Sequence, residues 1–184
     1  MFLAKDGYER NTWHRVAEKG HVEVLHKLWE WAKELLTREE LKDMFLAKDD
    51  TKRTAWHMAV EKGQIELLNK MWEWAKEVLT QGEFKNMFLA NDDFKRNAWR
   101  IAADFGQIEV LNKLWEWAKV VLTNEELNNM YLDKDRLERT AWNVAAQKDQ
   151  IELMRTIMKQ GMRKRQRGTN TRGVKNHVRS QREM

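Results

Sequence analysis

Apolar positions between residues 54 and 89 fall at helical spacing in three consecutive runs. Thr54 precedes the first run and suits an N-cap. Trp56, Ala59 and Val60 then lie three and four apart on one face, and Gly63 marks the end, as a residue just past a helix C-cap often does. Ile65 opens a longer helix. Leu67, Met71, Trp74 and Val78 make one stripe, and Leu68, Trp72, Ala75 and Leu79 a second, rotated by about 100°. Two adjoining stripes suit a helix wedged between neighbours, while Glu66, Lys70, Glu73 and Lys76 fill its polar side. Thr80-Gln81-Gly82-Glu83 reads as a capping box that starts a short third helix with Phe84, Met87 and Phe88 as its apolar face. Ala90 to Asp93 then forms an exposed turn.

This pattern repeats. The stretch from Met44 recurs almost intact 43 residues later at Met87, with weaker copies at Met1 and Met130. Thr37-Arg38-Glu39-Glu40 and Thr123-Asn124-Glu125-Glu126 repeat the capping box at the same phase. One small helical unit cannot bury its own apolar face, so a fixed period of this size predicts an all-α stacked array, an α-solenoid. The expected units are residues 1–43, 44–86, 87–129 and 130–161, each a helix-turn-helix with an extra short third helix. The fourth copy departs where its siblings read WEWAK, with Met158-Lys159-Gln160-Gly161-Met162 in that place.

Composition adds three points. The chain has no Cys, which excludes thiolate metal sites and thiol nucleophiles and fits a reducing, cytoplasmic setting. No uncharged apolar run approaches the roughly 18 residues of a membrane span, and the start shows no secretory h-region. The net charge of +5 is uneven: residues 162–184 carry +7 and the other 161 residues −2. That basic end has almost no large apolar side chain, and its composition predicts disorder.

The unit resembles the ankyrin repeat, whose pattern runs D-x-x-G-x-T-P-L-H-x-A-A-x-x-G-H. The second copy supplies Asp49, Thr54, His57, Ala59, Val60 and Gly63 in register. The first supplies Asp6, His14, Ala17, Gly20 and His21; the third Asp92, Ala102, Ala103 and Gly106; the fourth Asp135, Thr140, Ala145 and Ala146. Lys52 stands at the family's turn glycine, and Ala55-Trp56 at its Pro-Leu. The resemblance spans roughly residues 4–161. It implies a groove-forming scaffold in which His14 and His57 brace the turns. The 43-residue period exceeds the family's ~33 and lies within the range of HEAT or armadillo arrays, which remain the alternative; both are α-solenoids.

Function reads as binding, not catalysis. Carboxylates recur at equal phase in every copy, whereas an active site breaks such symmetry. No cofactor is expected, and the spacing of His14, His21 and His26 gives no metal motif. Both rings of each pair, Trp29/Trp31, Trp72/Trp74 and Trp115/Trp117, are expected in the core. The expected partner surface is where copies diverge: the turn residues Tyr8, Arg10, Thr51, Arg53, Phe94, Arg96, Leu137 and Arg139, with His57 and Arg100 on the first-helix face. The leading reading is a non-enzymatic scaffold for a protein partner, with no membrane role. A second is a nuclear or nucleic-acid adaptor using Arg163, Lys164, Arg165 and Arg167. A third is an inactive fragment of a longer array, since Met1 falls at an internal position of the unit.

Overall fold

A computed structural model describes residues 2–148 and 150–160. These residues are helical, with no strand among them. In chain order the helices are α1 (Thr12–Lys19), α2 (Val22–Leu35), α3 (Arg38–Leu46), α4 (Ala55–Glu61), α5 (Ile65–Val78), α6 (Gln81–Leu89), α7 (Ala98–Asp104), α8 (Ile108–Val121), α9 (Asn124–Leu132) and α10 (Ala141–Gln147). Residues 151–160 are helical as well. The capping boxes form as their sequence requires: Thr37, Thr80 and Thr123 each accept from the amide three residues on, and Glu40, Glu83 and Glu126 reach back to the Thr amide.

Equivalent helices pack side by side. Helices α1, α4, α7 and α10 form one row, α2 packs on α5, and the short α3 and α6 lie against the long helix of the following copy, α5 and α8. Both stripes of α5 are buried, from Leu67 to Val78 and from Leu68 to Leu79. One stripe faces the copy before and the other its own copy. Trp74 enters the preceding copy, stacked on Trp29 at 5.2 Å and 5.8 Å from Trp13. Trp117 repeats this one copy later, stacked on Trp72 at 4.6 Å and 5.7 Å from Trp56. Such offset ring pairs add to the stabilisation from area burial alone.

The third junction differs. Gln160 occupies the position of Trp74 and Trp117, is buried, and donates its amide to Asn112 Oδ1 at 3.1 Å. Leu153 and Ile157 supply the apolar contact there.

Trp31 corrects the expectation that both rings of each pair are internal. It is 51% exposed, with Val24 and Leu35 beside it also exposed, while Trp29 is fully buried. Trp31 lies on the stripe of α2 that in α5 and α8 packs on the preceding copy, and among the described residues no helix covers it.

A second lock joins the copies at the polar end of each first helix. Gly63 adopts φ 70°, and a Cβ there would collide with the side chain of Gln107, whose amide donates to Glu61 O at 3.2 Å. Gln64 does the same at Gly20, with its amide oriented to donate to Ala17 O and accept from Gly20 N, both at 3.0 Å. Here glycine is required both for the left-handed backbone and for the close approach.

Replacing Trp72 by Ala removes a buried ring that also seats Trp117, and should cost about 3–5 kcal/mol. Trp31→Ala, from an equally aromatic position without a neighbour, should cost about 1 kcal/mol or less. Denaturant unfolding of the two variants, compared with the parent chain, reads the difference directly.

Candidate partner-binding surface

Each turn is built on one aspartate. Asp49 Oδ1 accepts from the amides of Thr51 and Arg53 at 2.9 and 2.8 Å, and its own amide donates to Arg53 O at 2.9 Å. Asp92 and Asp135 repeat the pattern, accepting from Phe94 and Arg96 at 2.8 and 2.9 Å and from Leu137 and Arg139 at 2.8 and 3.0 Å. Asp6 does so in the first copy, from Tyr8 and Arg10. The turns close tightly although no glycine sits at the left-handed position: Glu9, Lys52, Lys95 and Glu138 all have φ near 60°. The aspartate bonds offset the ~1–2 kcal/mol that a Cβ costs there.

The arginines expected to contact a partner are committed to this brace. Arg10, Arg53, Arg96 and Arg139 each pair with the turn aspartate, at 3.1, 3.1, 2.7 and 2.8 Å. Thr51 is likewise engaged, its hydroxyl donating to Asp49 at 2.8 Å. Tyr8, Phe94 and Leu137 instead point into solvent at the tips. Arg10 lies over the Tyr8 ring at 4.7 Å and Arg96 over Phe94 at 4.9 Å, which fixes the ring orientations. One backbone bond ties each tip to the next: Asp50 N to Tyr8 O, Asp93 N to Thr51 O and Arg136 N to Phe94 O, at 3.0 to 3.1 Å. Lys52 and Asp93 add an ion pair at 2.8 Å. The result is a row of linked tips, three of them bearing large apolar side chains.

His57 and Arg100 correct the expectation of contact residues on the first-helix face, because the next turn closes over both. His57 is fully buried; its Nδ1 accepts from Thr54 N at 3.1 Å and its Nε2 donates to Ala90 O at 2.9 Å. Arg100, 2% exposed, pairs with Asp104 at 2.7 Å and Asp135 at 2.8 Å and donates to Arg139 O. In the fourth copy Asn143 at the same position is exposed and completes a capping box with Thr140.

These bonds set the electrostatics. Burial pushes His57 down to about 4, and lowers His14 for the same reason. The neutral ring suits the site, since Nδ1 must keep a lone pair for the Thr54 amide. Burial raises Asp133, which takes hydrogen bonds from the Lys134 amide and Asn97. Glu83 is held low by the Thr80 amide and hydroxyl, as its cap role requires.

A feature the sequence did not suggest is a pair of equivalent clefts, each between the end of a third helix and the segment one copy earlier that leads into the preceding turn. One, of about 350 Å³, is lined by Leu3, Lys5, Asn11, Asp43, Leu46 and Ala47; the other, of about 410 Å³, by their counterparts around Leu89. The signal was the leucine after each Phe or Tyr in MFLAKD, MFLAND and MYLDKD, which lies outside the third-helix apolar face.

Among the described residues no group of three His, Asp or Glu side chains is placed to hold a metal ion, and no helix is long and apolar enough to cross a membrane. Arg163, Lys164, Arg165 and Arg167 lie outside the described residues. No family model and no curated protein matches the chain.

Two outcomes follow from the buried polar groups. Arg100→Ala should destabilise by about 3 kcal/mol, the low end for opening a buried pair, because Asp135 keeps Arg139 and Asp104 keeps Arg96; urea unfolding measures this. His57 has a folded value below its ordinary 6.5, so the unfolded chain binds more protons and stability falls as pH drops. The loss begins near pH 6.5 and levels off near 4, at up to about 1.4 kcal/mol per pH unit. His57→Asn, which copies the Thr140–Asn143 cap, should flatten that slope in unfolding series between pH 7 and 4.5.

Proposed function

We propose that the chain is an α-solenoid of ankyrin-like repeats, each with a third capped helix, and that it is a non-enzymatic scaffold for a protein partner. The ankyrin-like reading is supported by the Thr54-x-x-His57 cap, the left-handed Gly20, Gly63 and Gly106, and the side-by-side row of first helices. The 43-residue period is the third helix added to that plan. The cysteine-free composition supports a reducing compartment.

The observation that carries the binding reading is the row of exposed tips. Tyr8, Phe94 and Leu137 are large and apolar, sit on turns locked by Asp–Arg pairs, and so offer a surface that loses little conformational entropy on binding. Aromatic side chains dominate interface energetics, and loops on a rigid scaffold commonly carry recognition. The arginines serve this surface from behind, by holding the turns, rather than by touching the partner.

A binding partner isolated with the full chain should lose about tenfold or more in affinity to the triple variant Tyr8→Ser, Phe94→Ser, Leu137→Ser, with the thermal midpoint unchanged. A selective partner indifferent to all three substitutions would place the surface elsewhere.

A further inference from the structure

Within the chain, one face of each copy is made to receive the next. The leading face of the second and third copies presents Trp74 and Trp117, buried among Leu67, Met71 and Val78 or Val110, Leu114 and Val121. The trailing face presents the rings they meet, Trp13 with Trp29, and Trp56 with Trp72. The first copy keeps the leading set, Val24, Leu28, Trp31 and Leu35, but three of its members are exposed. At the far end the fourth copy keeps a trailing set. Trp142, at the position of Trp13 and Trp56, is 39% exposed, and Met158, at the position of Trp29 and Trp72, is exposed beside it. Among the described residues these two faces carry exposed apolar side chains in place of the polar surface with which a repeat array meets water.

We propose that these two ends bind each other between copies of the chain, so that the protein associates head to tail with Trp31 of one molecule seated against Trp142 and Met158 of the next. The internal junctions supply the geometry. The contact of Trp31 with Trp142 repeats that of Trp74 with Trp13, at 5.8 Å, and of Trp117 with Trp56, at 5.7 Å. A methionine under the inserted indole replaces a ring stack by a sulfur–aromatic contact. The tips also match: where Asp50, Asp93 and Arg136 donate to the preceding tip carbonyl, Gly7 N–H would donate to the carbonyl of Leu137. Residues 161–184 of the same chain contain no Trp, Tyr or Phe, so they cannot supply the stack that this face takes elsewhere. The association is heterologous and open-ended, since each molecule has one end of each kind. It uses the backbone of the first and last tips and not the apolar side chains that the turn-tip surface presents.

Sedimentation of the full chain over a concentration series tests it. The mass should grow past that of a dimer as concentration rises. Trp31→Ser and Trp142→Ser should each weaken association by about 30-fold or more, the effect of losing a central aromatic anchor. An equimolar mixture of the two variants should form a 1:1 dimer that grows no further, because one intact leading face meets one intact trailing face. A parent chain that stays monomeric to about 1 mM overturns the proposal, as does continued self-association of either single variant, which would signal like-to-like docking. Should Trp142→Ser lower the thermal midpoint, Met158→Glu, at an exposed side chain of the same face, takes its place with the same expected mixture.

Discussion

The insertion of one indole into the preceding copy organises much of the structure. Once Trp74 lies flat on Trp29 and against Trp13, the spacing and tilt between the first two copies are set by ring thickness, and Trp117 on Trp72 repeats them. Everything at the periphery then inherits that spacing. Gln64 and Gln107 reach the preceding first helix only because the long helices approach this closely, and the glycines at 20 and 63 are the counterpart of that approach. Lys42 with Glu83 and Lys85 with Glu126 close at 3.2 and 3.0 Å along the other edge. These half-buried pairs follow the packing rather than set it.

The turn row depends on the same spacing but adds its own stiffness. A residue with a side chain is held left-handed in all four turns, which only works because a carboxylate takes two amides and a guanidinium at once. Successive tips are then joined by a single backbone hydrogen bond each. The row of exposed tips is therefore a consequence of an internal polar lattice, and the polar residues nearest the solvent belong largely to that lattice.

Local features were readable in the sequence, and features that need a neighbour were not. The cap at Thr54, the helix opening at Ile65 and the boxes at Thr37, Thr80 and Thr123 depend on residues within one turn of each other, and all appear where the spacing puts them. Trp31 was beyond such reading because WEWAK is identical in three copies, and burial of its second ring depends on whether another helix lies in front of it. His57 and Arg100 differ between copies, a mark of freedom, yet each meets the turn that closes over it: the carbonyl of Ala90 for the histidine, the carboxylate of Asp135 for the arginine, which also pairs with Asp104 on its own helix. The exposed tips at Tyr8, Phe94 and Leu137 were legible because a turn has one outward position, whatever occupies it.

The exchange of a tryptophan for Gln160 gives the molecule a polarity. Two junctions are closed by stacked rings, the third by an amide bonded to Asn112 and by Leu153 and Ile157. In a linear array, where each segment leans on its neighbour, the weakest joint decides where separation starts. On that footing the fourth copy is the first to part, at the joint between Gln160 and Asn112, and the three copies joined by stacked indoles hold together longest.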